Sequence, residues 1–536
     1  MVYINRFFFG ALNHLRRFYL SSNFYEKRIS RINYKDLFYK PSPYLLSSLI
    51  KYQKKKFKIE NFSLDEIWKN NSLSTKEYKS LNSFNWFFSL DLKSSKQVTQ
   101  SVITNWINNN YRYNIKSWDF DITAKRIIAW LSCHNLTYDE SNQDYKSSFN
   151  KLILKQTNHL INEVKKSEVI DNKLIGCASI ILVGLCYNDE KKYLSFGSSL
   201  LKKISKLAVD NDGFIKSRSI KQLIFYLKYF ILIREWFKES QINIPEHIDE
   251  TIYYLGQSYA FIWQEVEADF LFNGNNISDN KEFDNYLDRL GYKFKNQDQE
   301  KGGYLVLKNK KICLAMDVGS NPNSNFSKDY QSGALSFEIV SKGQKLISNC
   351  GYHKNNNNKL NLLSKSSATQ STLIIDDNSS CKFFKSNKDW LIKKGIKILK
   401  KNYVYEKKYW KIIASHDGYL KKYNSIHQRE IEFYPDQMSF TGLDKIIKKK
   451  NNYSYKFDIR FHVEPKVKLM KTQDNKTILL ELNDEGWKFT CENYDINIDN
   501  GLYFGNKNLH TDNQNIFISG ISNNQVEDIR WEIKKI

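Results

Sequence analysis

Tyr352 and His353 are neighbouring side chains that can take or give a proton, and they follow Gly351 on a loop. Tyr and His both serve as general acids and bases, and Tyr330 is a third such group nearby. An unperturbed phenol has a pKa of about 10, so Tyr352 would need a cation close by to act as a base. The alternative for Tyr352 is a loop aromatic residue with a solvent-facing hydroxyl.

Two arginines could supply that cation. Arg218 follows Asp212-Gly213, and Arg460 lies on an alternating strand with His462 on the same face. A guanidinium can bind a carboxylate with two parallel hydrogen bonds. Arg218 could equally form a structural ion pair, and Arg460 with His462 could be polar residues on an outer sheet face.

The elements around these residues change in character along the chain. Residues 123–131 and 220–231 place apolar side chains at helical spacing, which predicts buried helices. From about residue 301, alternating runs predict strands instead. In the stretch 329–380, Ser336 to Val340 and Gln344 to Ser348 read as a hairpin with Lys342-Gly343 in its turn.

That stretch, DYQSGALSFEIVSKGQKLISNCGYHK followed by KSSATQSTLIIDD, resembles the signature of the heparinase II/III-like family of polysaccharide lyases. Supporting pieces occur in order, among them TAKRIIAWLSCHNL, DNDGFIKSR, SHDGYLKKY and FDIRFHVEP. The resemblance implies an α+β multidomain protein with an incomplete (α/α) toroid followed by a large antiparallel β-sandwich. The domains expected are an N-terminal helical or extended arm (1–70), the toroid (71–295) and the sandwich (296–536).

The resemblance also implies a reaction, which is β-elimination beside a uronic acid in an acidic polysaccharide such as a glycosaminoglycan. Such a lyase must neutralise the sugar carboxylate, remove a poorly acidic proton and protonate the leaving oxygen. In the family an Asn-His pair serves neutralisation, and Asn172-Lys173 holds its place here. The alternative for Asn172 is an ordinary residue of a helix N-terminus.

Several family positions carry other residues in this chain. The two His positions of the sandwich read Gln331 and Gln370, and the toroid tyrosine position reads Ser219 to Gln222. Some relatives bind zinc through His, Asp and His, where this chain has Gln331, Asn349 and Gln370. Amides hold a sugar but are poor bases and poor zinc ligands, so we predict no metal and no cofactor.

These replacements leave two functions open. The first is an active lyase that uses Tyr352 and His353, with Asn172 as neutraliser. Its substrate would be held by the other candidate side chains, which are Arg218, Gln331, Gln370, Asn349, Tyr330, Arg460 and His462. The second is a catalytically impaired glycan-binding or envelope polysaccharide-assembly protein on the same scaffold.

The net charge of +24 favours an acidic polymer as partner, although lysine is abundant throughout the 536 residues. No nucleic-acid-binding motif is present. The seven cysteines form no CxxC pair, so they predict neither a disulfide framework nor a zinc cluster. The basic, apolar start (1–20) shows no cleavable signal and could lie on a membrane surface. The family suggests the periplasm or cell envelope, a cytoplasmic site stays open, and the oligomeric state is not predicted.

Overall fold

The computed structural model describes most of the chain. The described residues are 14–32, 36–49, 68, 73–89, 96–167, 169–188, 191–278, 280–354, 358–386, 389–450, 454–506 and 510–536. The expected membrane contact of residues 1–20 falls largely outside them. Described residues up to Leu207, together with Tyr226–Ile252, form one compact unit, which we call the helical unit. Ala208–Phe225 and Tyr253–Ile536 form the second, which we call the sheet unit.

The first half of the chain is helical. Its α-helices are Asn23–Ile29, Pro43–Ser47, Thr75–Ser83, Lys96–Asn110, Phe120–Ser132, His134–Thr137, Gln143–Glu163, Ile170–Tyr187, Lys191–Ala208, Ile220–Glu239, Glu246–Tyr259 and Asn280–Leu290. Polar residues begin several of them. Asp119 accepts a hydrogen bond from the Phe120 amide, and Asn142 accepts one from the Tyr145 amide. Such caps satisfy amides that have no partner within the helix.

Buried aromatic rings and one buried arginine hold the helical unit together. Trp106 and Trp130 meet edge to face, and the Arg126 guanidinium lies 4.1 Å from the Trp106 ring centroid. Arg126 is fully buried and donates hydrogen bonds to the carbonyls of Asn82 and Ser117. The helical spacing around residues 123–131 is therefore confirmed as a core-facing pattern.

Ile170–Tyr187 is long and apolar enough to cross a membrane by length and composition, with a mean hydropathy of 1.5. However, 78% of that window is buried inside the protein. The prediction of a buried helix is thus confirmed, although the helix begins four residues before the apolar run that suggested it. The polar residues Asp171, Asn172 and Lys173 form its first turn.

The change from helix to strand falls between Leu290 and Glu300, as the sequence predicted. The boundaries of the two compact units do not coincide with this change from helix to strand, because residues 208–225 and 253–294 pack with the sheets. In the described part of residues 330–480 the α-helices are short, Asn358–Ser364 and Leu420–Tyr423.

Four antiparallel sheets build the sheet unit. Their strands are β1 Glu300–Lys301, β2 Tyr304–Lys308, β3 Ile312–Asp317, β4 Phe337–Ser341, β5 Gln344–Ile347, β6 Leu373–Ile375, β7 Lys382–Ser386, β8 Asp389–Lys394, β9 Ile398–Tyr405, β10 Trp410–His416, β11 Ser425–Tyr434, β12 Ser439–Lys448, β13 Tyr455–His462, β14 Lys468–Lys471, β15 Thr477–Leu482, β16 Glu485–Thr490, β17 Ile496–Tyr503, β18 Thr511–Ser522 and β19 Val526–Lys535. The strand orders are β1-β2-β3-β4-β5, β14-β15-β16-β19-β12-β11-β10-β9, β17-β18-β13-β6 and β7-β8. One apolar core joins the first three sheets, which gives the predicted sandwich.

The predicted hairpin is present, with Ser341 opposite Gln344. Lys342 and Gly343 both have positive φ, of 45° and 78°, as a two-residue primed turn requires. Both faces of β4 are buried, although its alternation predicted only one apolar face. The second face carries Glu338, which can be buried because it accepts hydrogen bonds from the amides of Leu271 and Asn349.

Candidate functional site

The structure buries the two predicted proton-transfer residues of the hairpin loop. Tyr352 is 6% exposed, its hydroxyl donates to the Lys328 carbonyl at 3.4 Å, and it accepts a hydrogen bond from Asn361. The His353 amide donates to the Ser364 hydroxyl, and its ring packs beside Phe504. The solvent-facing hydroxyl considered for Tyr352 is therefore wrong.

The protonation of these groups follows from their burial. Desolvation raises the pKa of Tyr352 well above its usual value, and the negative charge of Asp329 adds to this. Desolvation lowers the pKa of His353. The Lys365 ammonium lies 5.3 Å from the centroid of the Tyr352 ring. Burial lowers the Lys365 pKa to about 8. A catalytic role for Tyr352 and His353 stays a prediction, and it would require the loop to open.

Gln331, Asn349 and Gln370 are buried and bonded mostly to main-chain groups. The Gln331 amide group donates to the carbonyls of Gly351 and Ser364, while its oxygen accepts from the Gly274 amide. Asn349 donates to Glu338 and accepts from the Ser371 amide. Gln370 donates to the Thr369 hydroxyl. These contacts connect the hairpin to neighbouring loops.

A zinc ion does not fit these three residues, because the amide oxygens of Gln331 and Asn349 already accept main-chain hydrogen bonds. Within the described ranges, no group of three or more His, Cys, Asp or Glu could hold a metal.

We expect elemental analysis of the purified chain to find well under one zinc per molecule, before and after dialysis against zinc. The physical reason is that neutral amides compete poorly for zinc against water. A tightly held equivalent of zinc that survives dialysis against a chelator would contradict this expectation.

Arg218 forms an ion pair inside the sheet unit. Its side chain is 8% exposed, lies 2.7 Å from the Asp317 carboxylate, and donates to the carbonyls of Gly302 and Gly303. Burial opposes the charge of Arg218, but the adjacent Asp317 outweighs burial and raises the arginine pKa. Of the two roles considered, the structural ion pair is the one observed.

Tyr330, Arg460 and His462 have local partners as well. Tyr330 lies in a small apolar cluster with Cys381 and Ile392. Arg460 donates to Asn515 and lies within 4.0 Å of the Asp458 carboxylate, which matches the expectation of paired polar residues on a sheet. His462 is buried 3.2 Å from the Cys350 sulfur, and burial lowers the His462 pKa to about 3.

Asn172 lies in a different environment, at the open end of a helix. The Ile170–Tyr187 helix begins after Val169, whose side chain cannot cap it. The N-cap residue therefore supplies no side-chain cap, and the first turn carries the positive end of the helix dipole. Val169 and Asn172, at this end of the helix, border a cavity of about 450 Å³ in the helical unit. Its lining comprises Arg16, Arg17, Leu20, Tyr113, Ile115, Trp118, Asp119, Phe120, His159, Glu163, Lys166, Ser167, Val169 and Asn172.

The cavity carries uncompensated positive charge. Its two carboxylates have their own partners: Glu163 pairs with Arg16 and Lys166, and Asp119 pairs with Lys79. Among the residues that the structure describes, Arg17 has no such partner. Burial and the nearby Arg16 charge lower the pKa of Lys166. An anion placed in this cavity would thus meet cations and the positive end of a helix dipole.

Two groups that can hold a proton line the same cavity. Burial raises the pKa of Tyr113, and the charges of Arg16 and Arg17 act against this rise. His159 is 2% exposed, and burial lowers its pKa to about 3. Its Nδ1 bonds to the Tyr25 hydroxyl and its Nε2 to the Trp118 carbonyl. Because both ring nitrogens of His159 have hydrogen-bond partners, Tyr113 is the better candidate for proton transfer.

The sequence alone did not single out Tyr113, Arg17 or Lys166. They lie on three separate segments, and neither helical spacing nor a motif relates them. The sequence feature that could have indicated the cavity was Asn172, because this residue lies at the start of an apolar helix and the cavity lies at that end of the helix.

The fold of this protein is also found in solved structures. A helical region followed by an antiparallel sandwich also occurs in crystal structures of two lyases. The heparan sulfate lyase HepC from Pedobacter heparinus is 12% identical, with a TM-score of 0.66 over 89% of this chain and 79% of HepC. A heparinase III is 15% identical, with a TM-score of 0.67 over 88% of this chain and 79% of its own. At these identities the likeness concerns the fold.

A family match then adds to the fold. Residues 295–532 match the family model described as Heparinase II/III-like, C-terminal. This part of the chain is therefore a heparinase II/III-like C-terminal domain, and the resemblance carried by the hairpin region is confirmed. No protein with a curated description matches the chain.

Proposed function

We propose that this protein is a polysaccharide lyase that cleaves an acidic, uronic-acid-containing polysaccharide by β-elimination. The observation that carries the proposal is the cavity at Asn172, which combines the positive end of a helix, the phenol of Tyr113 and the cation Arg17, which pairs with no carboxylate among the described residues. The heparinase II/III-like C-terminal domain supports the reaction class.

In this proposal the cavity binds the uronate carboxylate. Asn172, Arg17 and the positive end of the helix dipole neutralise its charge, so that negative charge can develop on it when the neighbouring C–H bond breaks. Helix amides suit this task because their dipoles are already oriented before the substrate arrives.

Tyr113 is the proposed proton-transfer group. As a phenolate it removes the proton next to the carboxylate, and the electron pair forms a carbon–carbon double bond as the bond to the leaving oxygen breaks. The same phenol then returns the proton to that oxygen, which balances the step. Arg16 and Arg17 favour the phenolate because their charges lower the Tyr113 pKa against the effect of burial.

A panel of polysaccharides tests the proposal. Heparan sulfate, chondroitin sulfate, alginate and hyaluronan are incubated with the full chain, and the ultraviolet absorbance of the unsaturated product is followed. We expect at least one uronate polymer to give rising absorbance. Binding without absorbance on all four would favour a glycan-binding protein on the same scaffold.

The proposed cellular compartment rests on the proposed function and not on the fold. A lyase acting on an extracellular polymer would work in the periplasm or cell envelope. Fractionation of the source cells with periplasmic and cytoplasmic marker enzymes tests this location, and recovery with the cytoplasmic marker alone would contradict it.

A further inference from the structure

Residues 382–408 are a lysine-rich segment of the sequence. They contain ten lysines and two acidic residues, Asp389 and Glu406. The whole chain has 82 basic and 58 acidic residues, so this segment is far more basic than the general abundance of lysine explains. It includes β7, β8 and β9 of the sheet unit.

The fold places three of the nearby lysines close together. In the β7-β8 hairpin, Lys382 lies directly opposite Lys394, beside a register shift. Like charges at directly opposed positions repel each other. Burial lowers the pKa of Lys394, and the charges of Lys421 and Lys382 lower it further. Hydrogen bonds between Asp417 and the Lys397 backbone bring the short Leu420–Tyr423 helix, which carries Lys421, beside the segment that follows Lys394. Lys421 is therefore the third cation of this cluster.

The positive charge of the cluster exceeds the negative charge around it. In the described part of the sheet unit, none of the three lysines forms an ion pair. Of the neighbouring carboxylates, Asp389 pairs with Lys328, while Asp417 accepts a hydrogen bond from the Lys397 amide and offsets part of the charge of Lys394. A bound anion would relieve the repulsion.

The hairpin is connected to an open strand edge whose exposed rings lie further along β9. Phe383 of β7 and Ile398 of β9 pack on the same small apolar cluster, which connects the hairpin to β9. β9 is the edge strand of the eight-stranded sheet, and Tyr403 and Tyr405 on it are about 40% exposed. Flat aromatic rings can pack against the C–H faces of sugars while lysines hold their acidic groups.

We propose that Lys382, Lys394 and Lys421 form a binding site for the sulfate or carboxylate groups of a polysaccharide on the sheet unit. None of these residues lines the cavity at Asn172. The choice of an acidic polysaccharide as the ligand of this site rests on the proposed function. The inference adds a second site, which would hold a long chain while the cavity acts on one sugar.

The test compares how tightly two triple variants of the full chain bind heparin. Titration calorimetry at several salt concentrations measures this binding. The first variant is Lys382→Gln, Lys394→Gln and Lys421→Gln. The control is Lys293→Gln, Lys295→Gln and Lys466→Gln, which removes the same charge from exposed lysines elsewhere in the sheet unit. We expect the first variant to bind heparin about tenfold more weakly and with a smaller salt dependence. The control should bind nearly as well as the parent.

Equal losses in both variants would overturn the site, because net charge alone would then explain binding. Free sulfate that competes as well as heparin, at equal sulfate concentration, would show a simple ion site and overturn the polymer assignment. Polyuridylate or phosphatidylserine vesicles that bind through these lysines as tightly as heparin would also overturn it. These outcomes do not depend on turnover. Absence of any cleavage would count against the proposed function but leave the comparison of variants intact.

Discussion

Tyr113→Phe is expected to lower kcat about 10²- to 10⁴-fold on whichever uronate polymer the protein cleaves, the range typical for loss of a proton-transfer group. The substitution removes one oxygen and keeps the ring that packs near Trp118 and His159. Heparin affinity and the melting temperature should stay close to those of the parent. Steady-state kinetics on the unsaturated product, with a melting curve for each variant, make the measurement.

The pH dependence provides a second readout for the same residue. A base must lose its proton, and burial holds the Tyr113 pKa above its usual value. The rate constant kcat/KM should therefore rise as pH increases from 7 to 9. Arg17→Gln removes a charge that lowers this pKa, so the rising limb should move to higher pH. A flat profile, or one unchanged by Arg17→Gln, would argue that Tyr113 is not the base.

Tyr352→Phe is the matched control, because it removes the same oxygen from a tyrosine of the hairpin loop. Its hydroxyl is buried against the Lys328 carbonyl, so we expect little loss of turnover. His353→Ala should behave in the same way. If Tyr352→Phe or His353→Ala abolishes turnover while Tyr113→Phe retains it, the hairpin loop carries the chemistry, as the sequence first suggested.

Arg218→Ala is expected to destabilise the sheet unit by about 3–5 kcal/mol, the usual loss when one member of a buried ion pair is removed. The Asp317 carboxylate would be left buried without its cation. The carbonyls of Gly302, Gly303 and Gly319 would also lose their donor. Hydrogen exchange of peptides from β2 and β3, followed by mass spectrometry, measures this loss locally.

Arg460→Ala is the matched control for that experiment. Arg460 is paired with partly exposed carboxylates, at 4.0 Å from Asp458 and 3.7 Å from Asp499. Such pairs contribute about 0–1 kcal/mol. Adding Asp317→Asn to Arg218→Ala should restore part of the stability, because the unpaired charge is removed. A stable Arg218→Ala protein that binds substrate poorly would show instead that Arg218 holds the sugar.

The sequence by itself determined the elements and their order. Period 3.6 before residue 290 and period 2 after residue 300 gave the helices and strands, since each element must bury one apolar face. Lys342-Gly343 fixed the hairpin turn, because two successive residues with positive φ favour such a pair. The run of motifs after residue 295 was sufficient to indicate the family of the sheet domain.

The tertiary structure decided which of the candidate residues are free to act. Gln331, Arg218 and Tyr352 are polar residues near the family motifs, yet each is buried with partners brought in from distant loops. Burial and partner choice depend on contacts between segments that are far apart in the chain, and local patterns do not encode them. For the same reason the cavity that joins Arg17, Tyr113 and Asn172 could be found only once the helices were packed together.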